Sequence, residues 1–211
     1  MAQRKQGGAL LVGTNGLAAR SSEAGVWKRL QLPAVVTRES LISADEGADG
    51  HLALLGSQHL AHLDSLGREL HVAPLVGKTR PAHVLAAPGG ATALVYPDEV
   101  VIERADGTRI WSQFGQVATG LSLSDGRLVM GLAGDASDPF ETGSVLVIAV
   151  DSAGVRSRTL PIGRVRSRVT ALAEQTPDLI IYTTAGSYHW PLAGLPFAKP
   201  PAQATEPRRS H

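Results

Sequence analysis

The stretch "RPAHVLAAPGGATALVYPDEVVIERADGTRIWSQFG", Arg80–Gly115, decides the fold. It divides into RPAHVLAAPGG, ATALVYPDE, VVIERADGT and RIWSQFG, four short apolar runs parted by breaks rich in Pro, Gly and Asp. Runs of this length cannot carry a helical stripe. The breaks hold the residues that turn a chain sharply, by positive φ or by a side-chain turn bond. The segment predicts a four-stranded antiparallel meander, written from inner to outer strand.

The pattern recurs along the chain. Apolar runs of the same character begin at Ala9 (ALLVGT), Gly50 (GHLALLG), Gly90 (GATALVY), Gly126 (GRLVMGL) and Asp178 (DLIIYTT). Four of them follow a turn, EGADG, APGG, LSDG or QTPD, and a shorter apolar run precedes each of those turns. A glycine lies at a fixed distance downstream: Leu10 to Gly25, Leu52 to Gly67, Thr92 to Gly107 and Leu179 to Gly194 are each 15 residues. Leu128 to Gly154 is 26, and the surplus of 11 matches one insertion, GDASDPFETGS, Gly134–Ser144. A repeat of about 40–45 residues built from four short strands is the mark of a β-propeller blade. One such meander cannot bury both its faces, whereas blades stacked around an axis can.

On these residues the chain resembles a degenerate member of the WD40-like, YVTN-like and PQQ-like propeller superfamily, over roughly Ala9 to Leu195. The resemblance is to the architecture and to no single family, and the Trp-Asp dipeptide of true WD40 repeats does not occur. SSEAGVW, Ser21–Trp27, is similar to the Asp-box of sialidase and sortilin-type propellers, with Glu23 in place of Asp and one residue fewer before Trp27. That box is a structural turn and implies nothing about substrate.

The expected fold is all-β, a propeller of about five units over residues 9–197, followed by a Pro-rich tail at 198–211 expected to be disordered. The first unit is expected to lack its inner strand, because Met1–Gly8 is polar and short. The last is expected to have three strands and a weak fourth in Leu195-Pro196-Phe197. Two arrangements remain open: a five-bladed ring with trimmed end blades, or an incompletely closed ring whose edge is covered by a partner or by a second copy.

Composition narrows the function. With 211 residues and 43% apolar content the chain can bury a core, and a net charge of +1 creates no global field toward nucleic acid or membrane. Having no cysteine, it forms no disulfide or thiolate metal site, which is compatible with the cytoplasm. No segment approaches the roughly 18 apolar residues of a membrane-spanning helix. High Ala, Leu, Arg and Gly usage suggests a GC-rich bacterial genome.

Seven carboxylates, Asp45, Glu46, Asp49, Asp98, Glu99, Asp125 and Asp178, lie near hairpin ends. Sugar-cleaving propellers gather such groups around the axis, but turn bonding explains Asp at these places equally well. Asp135, Asp138 and Glu141 in the insertion match no calcium-loop spacing, and Phe140 makes the loop a candidate contact finger. His59 and His62 fall on opposite faces of a strand, and His71, His83 and His189 stand apart, so no metal site is expected. No nucleophile motif, phosphate loop or dinucleotide fingerprint occurs.

Arg156, Arg158, Arg164, Arg166 and Arg168 crowd into 13 residues with no acid between them. Alternation puts each pair on one strand face. They are expected to form a basic patch for an acidic protein surface, since the aromatic partners that would stack on bases are missing nearby. The sequence therefore predicts a non-catalytic propeller, without cofactor, that scaffolds protein–protein contacts in a bacterial multi-protein system, with Phe140 as a further contact. The alternative is a carbohydrate-binding or glycoside-processing propeller, which would need carboxylates and aromatics converging at one end of the channel.

Overall fold

The structure is a computed structural model that describes residues 2–3, 8–77, 79–132, 143–162 and 168–198. Its strands form five antiparallel sheets, each a meander in chain order. Blade 1 holds β1 (Ala2–Gln3), β2 (Ala9–Gly13), β3 (Leu17–Ser21) and β4 (Trp27–Arg29); blade 2 holds β5 (Leu41–Glu46), β6 (Leu52–Gly56), β7 (His59–Leu63) and β8 (Glu69–Pro74). Blade 3 holds β9 (His83–Ala86), β10 (Thr92–Val95), β11 (Glu99–Glu103) and β12 (Arg109–Phe114). Blade 4 holds β13 (Val117–Ser122), β14 (Leu128–Leu132), β15 (Ser144–Asp151) and β16 (Gly154–Pro161), and blade 5 holds β17 (Val169–Gln175), β18 (Asp178–Thr183) and β19 (Gly186–Pro191). The chain is a five-bladed β-propeller. Two three-residue 3-10 turns, at Pro88–Gly90 and Leu192–Gly194, are the helical elements among the described residues.

Two expectations at the chain ends change. Blade 1 does have an inner strand, the two-residue β1, whose Ala2 and Gln3 pair with Leu10 and Ala9. Two backbone pairings need no apolar run to support them. Leu195-Pro196-Phe197 makes no fourth strand in blade 5; Leu195 is buried and Phe197 packs against the same core from beneath.

The recurring glycines do what their spacing required. At Gly67 the backbone adopts φ +82°, and its N–H donates to the Asp64 carbonyl at 2.8 Å. Asp64 Oδ1 accepts the Leu66 and Arg68 amides at 2.9 and 2.8 Å, which closes the β7–β8 turn. In the Asp-box-like turn the Gly25 amide donates to the Ser22 carbonyl at 3.0 Å, and Glu23 stays exposed. Antiparallel order then places the turns after first and third strands at one end of the ring, the lower end. The turns after second strands and the linkers between blades lie at the upper end.

Alternation along each strand supplies two apolar faces per blade, and neighbouring blades bury them together. Separate clusters fill the junctions 1–2, 2–3, 3–4 and 4–5. Leu54, Val95, Val129 and Ile181 are buried as the pattern requires, and Val12 is partly buried. Junction 4–5 is tight. A Cβ added to Gly131 would lie 2.4 Å from Val169 Cγ1. Among the described residues no such cluster joins blade 5 to blade 1, and no strand pairing closes the ring. Leu17, Trp27 and Tyr182, near that seam, remain exposed.

Candidate functional site

The inner strands surround an axial channel of about 620 Å³, reached by Leu10 and Val12, Ser43 and Asp45, His83, Thr119 and Glu174. Asp45 and Glu174, near the ends of β5 and β17, share its lower end. Asp45 Oδ2 accepts the Ala86 amide of blade 3 at 2.9 Å and the Ser122 hydroxyl of blade 4 at 2.5 Å. Ser43 Oγ accepts the Val84 amide at 3.3 Å. Glu174 accepts both the amide and the hydroxyl of Ser124. The two carboxylates are thus clamps between blades, and no Phe, Tyr or Trp is among the described residues that line the channel.

The other hairpin carboxylates have local partners. Asp49 Oδ1 lies 2.5 Å from His51 Nδ1, Glu99 pairs with Arg109, Asp125 with Arg127, and Asp178 lies 3.9 Å from His189. Asp98 accepts the Gly115 amide through its backbone carbonyl at 2.9 Å. Glu46 is buried. These groups do not converge.

A larger groove, about 1,010 Å³, opens at the lower end between blades 3 and 4. The turns at Arg104–Asp106 and Asp151–Arg156 form its walls, and Ala91, Ile110, Val150 and Val155 give it an apolar floor. Phe197 closes one side, and the Arg156 guanidinium lies 5.0 Å from the centre of its ring. Arg156 also bonds Asp151 at 2.8 Å. Asp151 stays below the usual carboxylate range, chiefly through the Ala153 amide and then through Arg156.

Behind Phe197 stands Arg127, 4% exposed, which sequence reasoning missed. Its Nη1 donates to the Leu195 and Pro196 carbonyls at 3.2 and 3.0 Å, its Nη2 to the Leu192 carbonyl at 2.8 Å, and its Nε to Asp125 at 2.8 Å. One guanidinium anchors the segment after β19 beneath blade 4. Only its planar fork of five donors could serve so many acceptors.

Of the predicted arginines, Arg156 lines the groove, Arg158 is exposed midway along β16, and Arg168 precedes β17 at the upper end. The structure spreads these three over the height of the ring. Arg164, Arg166 and Phe140 lie outside the described residues, as do Asp135, Asp138 and Glu141.

Two buried histidines were not foreseen. His62 does point opposite to His59, as alternation required. It enters junction 2–3, where its Nδ1 lies 3.4 Å from Thr92 Oγ1 and its ring centre 6.5 Å from that of His71. His51 is buried nearby, and the Nε2 atoms of His51 and His62 have no hydrogen-bond partner among the described residues. Burial first, then the neighbouring His51 and His71, pushes the His62 pKa down to about 4. Glu39, also missed, ties the linker between blades 1 and 2 to the β6–β7 turn through the Gln58 amide at 2.7 Å and the His59 ring. Burial raises its pKa, and those bonds outweigh burial and leave the carboxyl below its ordinary value.

No protein-family model matches the sequence, and no curated protein matches it. Among solved structures, a protein of unknown function from Bacteroides caccae is similar with a TM-score of 0.54 at 17% identity, over 86% of this chain and 68% of that one. The Neurospora crassa Pan2 WD40 domain gives 0.54 at 11% identity, over 88% and 59%. BBS1N in complex with ARL6DN gives 0.50 at 14% identity, over 90% and 62%. The chain spans less than two thirds of the last two, and the likenesses show the propeller fold alone.

Proposed function

We propose that this propeller is a non-catalytic platform that binds another protein, with the blade 3–4 groove as its main contact surface. The observation that carries the reading is the groove: an apolar floor of Ile110, Val150 and Val155 under a rim of Arg104 and Arg156, with Phe197 beside it. Arginine and aromatic side chains over an apolar floor are the residues that supply most binding energy at interfaces. Asp45 and Glu174 are already engaged between blades, which weighs against the alternative of sugar chemistry at the channel. BBS1N, a propeller of similar shape, is held in a complex with ARL6DN, which supports a protein partner in general terms. A cytoplasmic, bacterial setting and an acidic partner surface belong to the same proposal.

The test is affinity capture with quantitative mass spectrometry, using wild type, Arg104→Glu with Arg156→Glu, and a deletion of Asp135–Thr142. The proposal expects the charge reversal to remove the captured partner while the melting temperature stays within a few degrees. Retention of the partner by the reversed groove, with loss on deletion of the insertion, would move the contact to the insertion.

A further inference from the structure

We propose that blade 5 takes its fourth strand from a partner: an extended segment with carboxylates at alternate positions, paired to the free edge of β19. The inference rests on the protein-binding reading above and names the chemistry of a partner for a second surface.

Among the described residues four blades have four strands and blade 5 has three. The outer strands of the four-stranded blades carry charged side chains: Lys28 and Arg29 on β4, Glu69 on β8, Arg109 on β12, Arg156 and Arg158 on β16. Charge on an edge strand is how sheets discourage further pairing. β19, GSYHWP, has no Lys, Arg, Asp or Glu, and in this it matches β7, HLAHL, the third strand of blade 2, which is covered by β8. The other third strands, β3, β11 and β15, do carry charge, so what sets β19 apart is that it ends its blade without the charge that β4, β8, β12 and β16 carry.

Among the described residues the chain's own path does not fill the place. After Pro191 it enters the Leu192–Gly194 turn, where the Leu192 amide donates to the Pro177 carbonyl at 3.0 Å. Arg127 then holds the carbonyls of Leu192, Leu195 and Pro196 beneath blade 4. Residues 192–197 run under the ring instead of along β19.

The register sets the side-chain chemistry of the occupant. Tyr188 and Trp190 stand opposite Ile181 and Leu179, members of the junction 4–5 core, so they face blade 4. Arg156 and Arg158 stand opposite Ala149 and Val147 on β15, and Val147 belongs to the same core, so both leave β16 on the face toward blade 5, Arg156 reaching from there to Phe197 at the lower end while Arg158 stays midway. Blades 3 and 4 bring their outer strands β12 and β16 together, and a fourth strand of blade 5 would stand in the same relation to β16. A strand added to β19 comes to lie beside β16, and every second side chain turns toward Arg158. Arg158 is exposed and has no ion-pair partner among the described residues. A carboxylate there gains a bidentate contact, and main-chain bonds to β19 supply the rest, as in strand addition generally. The opposite face of the added strand adjoins Ser187 and His189, which suits polar residues.

The experiment uses the full chain and a fluorescein-labelled octapeptide of alternating glutamate and threonine, read by anisotropy, with backbone amide exchange as a second readout. Saturable binding is expected, about tenfold weaker for Arg158→Glu, whose melting temperature is checked against wild type. Binding should vanish when the peptide amides on the β19-facing side are N-methylated, and an alternating lysine–threonine peptide should not bind. Amides of β19 should gain protection on binding. Absence of binding, equal binding to Arg158→Glu, or full binding by both N-methylation patterns overturns the proposal. A concentration-dependent dimer protected at β19 overturns it too, by giving the edge to a second copy. If the peptide fails while the Arg104 and Arg156 reversal still abolishes partner capture, the platform reading stands and this inference alone is lost.

Discussion

Acid should weaken this propeller at one identifiable joint. His62 is 1% exposed in junction 2–3, beside Thr92 of β10, with His51 from the β5–β6 turn and His71 of β8 as its titratable neighbours and Asp49 bound to His51. Its folded pKa is about 4 against an ordinary 6.5. A depressed pKa means that the unfolded chain takes up the proton first. Stability is therefore complete above pH 6.5, falls as pH drops toward 4, and loses nothing more from this group below that. The difference corresponds to ~3 kcal/mol in full, of which about three quarters is lost by pH 4.5. Set against the ~5–15 kcal/mol that folded domains possess, this is a large share. Urea unfolding of wild type and His62→Leu at pH 7.5 and pH 4.5 isolates it, because the other titrating groups are common to both proteins. Wild type should lose about 2–3 kcal/mol more than the variant between the two pH values. Equal losses would refute the reasoning, and would mean that water or a shifted side chain already solvates the imidazole.

Leu54→Ala should cost ~2–4 kcal/mol in the same assay, since Leu54 is fully buried in junction 1–2 and its loss leaves a cavity. Gly131→Ala should lower the melting temperature by several degrees, because the new Cβ would meet Val169 at 2.4 Å. Arg127→Leu should cost ~2–4 kcal/mol by leaving three carbonyls and Asp125 without their donor, and it should change the fluorescence of Trp190, which belongs to the anchored junction. Arg164→Glu with Arg166→Glu should leave the melting temperature unchanged; loss of captured partner from this variant would extend the contact surface beyond the groove.

The repeat was legible because a propeller blade is local. Its strands follow one another, so turn glycines at fixed steps such as Gly25, Gly67 and Gly107 suffice to find them. Even Leu179 to Gly194 reflects structure, for Gly194 lies in the turn that follows the third strand of blade 5. What escaped the sequence is whatever joins segments far apart in the chain. Asp45 reads as a turn residue until Ser122, 77 positions later, is seen to bond it. Arg127 looks like one more exposed arginine until residues 192–196 fold over it, and His62 looks like a surface histidine until β10 of blade 3 covers it. The pair β1 and β2 escaped for the opposite reason, since two residues contain no pattern to read.

The distribution of these distant bonds also explains where the molecule leaves surface available. Asp45 and Ser43 tie blade 2 to blades 3 and 4, and Glu174 ties blade 5 to blade 4. Arg127 adds a further bond between blade 4 and the segment after blade 5. Four apolar junctions run in the same sequence, from blade 1 to blade 5. The ring is therefore strongest through blades 2 to 5 and weakest at the seam between blades 5 and 1. Surfaces that must hold a fixed shape for a partner belong on the strong arc, and both surfaces inferred here, the blade 3–4 groove and the β19 edge facing β16, lie on it. The seam, with Leu17, Trp27 and Tyr182 exposed around it, is where the ring can open first. Amide exchange at pH 7 should accordingly be faster in β3 and β18 than in β10 and β14, whose blades are packed on both faces. Equal protection across all five blades would contradict this ordering of the junctions.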